Sequence, residues 1–180
     1  MATNETVERN SALTLMGDFI ALTKPRVMSL LLLSAIAGSF LGAGSMPTLE
    51  VIIAVLVGGA LASGGAASLN MAYESELDRK MGRTKNRPVA EDRISPITAV
   101  IFGLLLNIGA FLVLVVMTNV LAAALAIVGT VLYFGIYTVI LKRTTTQNIV
   151  LGGAAGAVPP LVGYAAAAGS LDLAAWYLFI

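Results

Sequence analysis

Asn70, Glu74 and Asp78 stand four residues apart in this 180-residue chain, and each carries an oxygen able to bind a hard cation. On a continuous helix a step of four turns by only about 40°, so all three project from one face. Two carboxylates and an amide suit magnesium, which typically takes one or two carboxylates and completes its shell with waters and substrate phosphates. Glu76 lies about 200° round the same helix from Glu74 and is the weaker candidate. Arg79, Lys80, Arg83, Lys85 and Arg87 follow at once. Arginine presents a planar fork to phosphate oxygens and lysine a point charge. Carboxylates for a metal beside cations for the remaining oxygens are what a metal-bridged diphosphate requires. Spacing alone leaves a second reading open, in which acid–base pairs at a charged membrane edge only support the helix. Against it, polar and ionisable residues at membrane depth are functional-site hypotheses by default.

The chemistry is narrowed by what is missing. The chain has no Cys and no His. Disulfides, thiolate metal sites, imidazole ligands and the usual neutral-pH general base are therefore excluded within it. Metal binding here rests on oxygen, which favours magnesium, calcium or manganese.

These residues must be positioned by membrane helices. Hydrophobic residues make up 58% of the chain and charged residues 12%, about half the charge of an ordinary soluble domain. Five apolar stretches approach the roughly 20 residues that cross a bilayer: 27–43, 49–73, 97–117, 120–141 and 149–169. A sixth begins near Leu173. Such long runs predict an all-α polytopic transmembrane bundle rather than barrel strands. All 11 basic residues fall before the first stretch, in the second connection (74–96) or in the fourth, at Lys142 and Arg143. The positive-inside rule makes that side cytoplasmic. Residues 1–26 carry Glu5, Glu8 and Asp18 and read as a retained cytoplasmic tail with an interfacial helix near Asp18–Thr23, not as a secretory signal. Residues 27–180 read as one transmembrane domain. Gly and Ala crowd 58–67 and 152–169, the composition that lets helix backbones approach closely in lipid. No Walker-type phosphate loop is present. Pro159-Pro160 is expected to kink the fifth helix, and Thr144–Thr146 to cap its start.

The text of the motif is more specific than its spacing. Residues 70–88 read NMAYESELDRKMGRTKNRP. This resembles the first acidic motif of the UbiA-type prenyltransferase superfamily, Asn-x3-Asp-x3-Asp, followed by the Met-x-Arg-Thr-x-x-Arg-Pro run of its protoheme IX farnesyltransferase subfamily. LTKPRVMSLLLLSAIAG at 22–38 and YTVILKRTTTQNIVLGGAAGAVPPLVGYAA at 137–166 are similar to the same subfamily. The resemblance covers nearly the whole chain from Leu22.

It implies farnesyl transfer from farnesyl diphosphate to a vinyl group of haem b, giving haem O, in a multi-pass membrane protein, of the plasma (inner) membrane if bacterial. By resemblance, Asn70, Glu74 and Asp78 hold Mg2+, with Glu in place of the more usual middle Asp. Glu76 matches a further acidic position. Arg83, Arg87, Lys142 and Arg143 match basic positions near the diphosphate, and Asn148 a polar position near the cavity. Terminal-oxidase assembly factors are the implied protein partners, and no nucleic-acid partner is expected. The family has about nine spans, with a second acidic motif and histidines in its later half. This chain is thus expected to be an N-terminal portion, inactive alone. Prenylation of a quinone precursor, and in another class a membrane transporter, are the alternative readings.

Overall fold

A computed structural model describes residues 13–144 and 147–179. The described residues form helices joined by turns, with no strand among them. A helix over Leu13–Leu22 (α1) leads to α2 (Pro25–Ala43), α3 (Leu49–Tyr73) and a short α4 (Ser75–Lys80). After the loop come α5 (Pro96–Met117) and α6 (Val120–Thr130), which continues as a π-helix over Val131–Leu141 and a last turn, α7 (Lys142–Thr144). Then follow α8 (Asn148–Ala168) and α9 (Leu173–Tyr177). Five of these segments are long and apolar enough to cross a membrane: Pro25–Ala43, Leu49–Tyr73, Pro96–Met117, Val120–Leu141 and Asn148–Ala168. They coincide with the five expected stretches to within two residues at each end.

Local chemistry sets the ends. Pro25 and Pro96 open their helices, where the missing N–H costs nothing. Thr48, Ser95 and Asn119 accept from backbone amides as N-caps. Gly44 and Gly169 close α2 and α8 in the left-handed conformation. The expected threonine cap of α8 is corrected in part. Gln147 is the cap residue and makes no side-chain cap bond, whereas Thr144 donates to the Ile140 carbonyl one turn back. Thr145 and Thr146 lie outside the described residues. The helix runs through Pro159 and Pro160 as one assigned element.

α3 is the central helix and packs against α2, α5, α6 and α8. Its pairing with α5 depends on glycine. A Cβ on Gly65 would come within 2.6 Å of the Gly103 carbonyl, and one on Gly103 within 2.8 Å of the Gly65 carbonyl. The α2–α8 seam is as close, with Gly38 and Gly42 against the Pro160 and Tyr164 carbonyls and Gly163 against that of Ala35. Close backbone approach of this kind is how helices associate where the surrounding solvent is itself apolar. The main core gathers Val55, Leu114, Ala122, Val158 and Ala165. Leu30, Leu105, Leu112 and Val116 face outward, more than half exposed, as lipid-facing side chains do.

A second core cluster decides where the charged loop lies. Val89 and Ile94 are buried with Leu22, Met71 and Ala99, beside the edge-to-face pair Phe19–Phe102. Arg93 ties the loop to α1 through Asp18, and also donates to the Asn86 carbonyl at 3.0 Å. The loop is thus folded back under α3 and α4.

Candidate functional site

The four-residue spacing survives a break in the helix. α3 ends at Tyr73, and Glu74 leaves helical geometry at φ −90° and ψ 2°. Yet the Glu74 amide still donates to the Asn70 carbonyl at 3.0 Å, and that of Asp78 to the Glu74 carbonyl at 2.9 Å. The register therefore carries through, and Asn70, Glu74 and Asp78 are buried residues, at 2%, 5% and 3% exposure. Buried carboxylates persist only where opposite charge or hydrogen bonds compensate them.

Each of the three side chains meets a cation from a different segment. Lys24 donates from Nζ to Asn70 Oδ1 at 2.7 Å, and Arg87 from Nη1 to Asp78 Oδ2 at 2.6 Å. Lys142 pairs with Glu74 Oε1. Asn70 spends its amide on Thr138 Oγ1 at 3.1 Å, and Thr138 in turn donates to the Tyr133 carbonyl, five residues back. That span matches the wide turn of the π-helix, a form that recurs at functional sites. Thr138 is 1% exposed and faces the acidic row because of it.

Lys24 sits between this row and an open-sided cavity of about 410 Å³ bordered by α2, α3, α6 with its π-helical continuation, and α8. The lining is almost wholly apolar and small: Ala62, Ala66, Gly129, Gly152 and Val162 are typical. Lys24 is the cap of α2 and holds a left-handed backbone, φ 50° and ψ 63°, which costs a non-glycine residue about 1–3 kcal/mol. The arrangement aims the ammonium at Asn70 while the stem borders the cavity. Burial, then the Arg87 charge, pushes its pKa from 10.5 down to about 8, with Glu74 and Asp78 opposing.

That shift has a sign that can be measured. Between pH 8 and 10.5 the unfolded chain holds a proton on Lys24 that the folded chain has released, so stability rises with pH across this window. Below pH 8 both states are protonated and the term is constant. NMR titration of a labelled Lys24 in metal-free protein should show a midpoint near 8, and Lys24→Met should flatten the stability slope between pH 8 and 10. A midpoint at the ordinary lysine value would remove Lys24 from this crowded cationic setting.

Among the sequence-derived candidates, the structure brings Asn70, Glu74, Asp78, Arg87 and Lys142 together. Glu76 is exposed, off the buried face. Arg83 is exposed and pairs with no acid among the described residues. Asn148 opens α8, partly buried. Arg143 falls in α7, with its side chain outside what is described. Lys24, Thr138 and Tyr133 were not singled out from sequence. A lysine immediately before a spanning helix is a usable signal, because a charge at that depth needs a partner. Thr138 offers none.

The donor set fits magnesium in kind. No group of three or more acidic, His or Cys side chains able to hold a metal occurs among the described residues. Two carboxylates and an amide are too few for a closed protein cage, but match an ion that keeps waters and substrate phosphates. Only Glu74 and Asp78 of the three carry charge, and each now pairs with a cation, Lys142 and Arg87 respectively.

The UbiA prenyltransferase family matches residues 31–180. The chain belongs to that family. It is 49% identical over 170 residues to the protoheme IX farnesyltransferase of Trichodesmium erythraeum, covering 94% of this chain and 52% of that protein. It is 47% identical to the protein of that name from Chloroflexus aurantiacus, over 92% of this chain and 28% of the relative. For the one from Thermus thermophilus the identity is 46%, over 97% of this chain and 29% of the relative. The chain thus spans about half or less of the length of these relatives. No solved structure matches it. As a UbiA-family chain it carries the Asn70–Asp78 row at the end of α3, with Lys24 linking the row to the apolar cavity.

Proposed function

We propose that the whole protein transfers a farnesyl group from farnesyl diphosphate to a vinyl group of haem b, giving haem O. The names of the relatives support this reading. The observation that carries it is the buried, cation-matched Asn70–Glu74–Asp78 row beside an apolar cavity. A diphosphate head and an isoprenoid tail need that pairing of environments.

Asn70, Glu74 and Asp78 would hold Mg2+, which supplies charge neutralisation as the diphosphate departs. Arg87 and Lys142 would turn their donors to diphosphate oxygens, in place of the carboxylates they now hold. The C1–O bond breaks with its electron pair leaving on the diphosphate. The vinyl π pair of the acceptor then forms the new C–C bond, and the cation left beside the porphyrin ring takes the oxygen of a water, whose proton goes to the diphosphate. The small-residue cavity accepts the tail and excludes water until that step. By the positive-inside rule the row and the 74–96 loop would lie on the cytoplasmic side, of the inner membrane if the protein is bacterial.

Purified whole protein, given farnesyl diphosphate, Mg2+ and either haem b or a hydroxylated aromatic acid, should produce haem O and leave the aromatic acid unprenylated. A prenylated aromatic acid without haem O would replace the haem reading with a quinone-precursor one. Farnesyl diphosphate left intact with either acceptor would overturn prenyl transfer itself.

A further inference from the structure

We propose that Tyr133 and Tyr137 form an aromatic wall that stabilises the allylic cation where the acidic row meets the apolar cavity. This rests on the prenyl-transfer reading and assigns a role within the same site. When the C1–O bond breaks, the electron pair leaves with the diphosphate and positive charge spreads over the allylic carbons. An aliphatic lining offers that charge no favourable dipole. A carboxylate would trap it as an ester, and water would quench it as an alcohol. An aromatic ring attracts a cation through its quadrupole without forming a bond to it.

The placement of the two rings meets that need. Both border the cavity, and they are its only aromatic side chains among the described residues. They lie nearly parallel, with centroids 5.9 Å apart and planes 22° apart. The backbone segment that carries them is tied to the acidic row by two hydrogen bonds: Asn70 to the Thr138 hydroxyl at 3.1 Å, and Thr138 to the Tyr133 backbone carbonyl at 2.9 Å. Lys24, which borders the same cavity, donates to Asn70 Oδ1 at 2.7 Å, so the acidic row adjoins the space these rings line. On the far side, a Cβ on Gly152 would come 2.4 Å from the Tyr137 ring. The α8 backbone therefore packs directly on that ring and holds its orientation. Tyrosines also gather at membrane interfaces as anchors; these two are partly buried and line the cavity beside the acidic row.

The test replaces Tyr133, and separately Tyr137, in the whole protein with Phe, with Leu, and with phenylalanines carrying one, two or three ring fluorines. Fluorination drains the ring quadrupole with little change of shape, so folding is preserved across the series. Two rates are read: transfer to haem b, and haem-free ionisation of farnesyl diphosphate to farnesol and nerolidol. The expected result is a rate for Phe within about twofold of tyrosine and a stepwise fall with each fluorine. Leu should be about ten- to thirtyfold slower, with KM for farnesyl diphosphate unchanged. A flat fluorine series at both positions overturns the wall, as does a Phe variant as slow as Leu, which would make the hydroxyl the working group. If wild-type protein ionises farnesyl diphosphate but leaves haem b unmodified, only the acceptor assignment fails, and the fluorine trend still decides the wall.

Discussion

Asp78→Asn is expected to lower the rate of farnesyl transfer by the whole protein about a hundred- to thousandfold while leaving it inserted and folded. Asp78 is the best-defined member of the row. Its side chain is 4% exposed, is the same size as Asn, and accepts from Arg87 at 2.6 Å. The substitution keeps shape and removes one buried negative charge. Arg87, with a quarter of its side chain exposed, can turn toward water, so the stability cost is small beside the loss of charge stabilisation in the transition state. Single-turnover release of diphosphate measures the first effect and the thermal midpoint in detergent the second. A rate near wild type would remove Asp78 from the metal site. The double variant Asp78→Asn/Arg87→Gln adds a discrimination. If Arg87 serves the diphosphate, the double variant is slower than either single one; if Arg87 only balances Asp78, removing both restores part of the rate.

Gly163→Val should be the most damaging substitution away from the row. A Cβ at this position would stand 1.8 Å from the Ala35 carbonyl oxygen and 3.0 Å from the Ser39 amide nitrogen. Those atoms are backbone, so no rotamer change relieves the clash and α2 must move off α8. Overpacking a core usually costs about 1–3 kcal/mol, occasionally more, and a backbone clash of this size belongs at or above the top of that range. The consequence reaches the site, because α2 begins at Lys24 and borders the cavity with Ala35 while α8 borders it with Val162. A lowered unfolding midpoint in detergent should therefore accompany weaker binding of farnesyl diphosphate. Gly17→Ala is the control: nothing lies within 4 Å of its added Cβ, and a helical Gly-to-Ala change gains about 0.5–1 kcal/mol. An unchanged midpoint for Gly163→Val would show that the seam is looser than its backbone spacing implies.

The row and the seam differ in how far they were legible from sequence. Asn70, Glu74 and Asp78 share a face because the helical period is a local property, and it held even where Glu74 departs from helical geometry. Arg87 could be placed near Asp78 because only nine residues separate them. Lys142, 68 residues from Glu74, could be proposed from resemblance but not paired with that carboxylate. Lys24 was read as a topological charge alone. Its role beside Asn70, 46 residues on, depends on α1 and α2 meeting the end of α3 through the Leu22–Met71–Val89 cluster. The π-helical stretch over Val131–Leu141, which turns Thr138 toward Asn70, had no signature in an apolar run that suits an ordinary helix equally well.

By itself, the sequence determined the five spans, the gathering of basic residues at one end and the alignment of the acidic row, since bilayer thickness and the 3.6-residue turn act over one helix at a time. Only the tertiary structure decided that α2 pairs with α8 and α3 with α5, which cations meet which oxygens, and that the cavity opens beside Lys24. The reason lies in the solvent. In water a polar face marks what stays outside, whereas in lipid the outer and inner faces of a helix are both apolar, so no stripe announces the contact. The choice falls instead to where backbones can approach without a Cβ between them, as at Gly38, Gly65, Gly103 and Gly163.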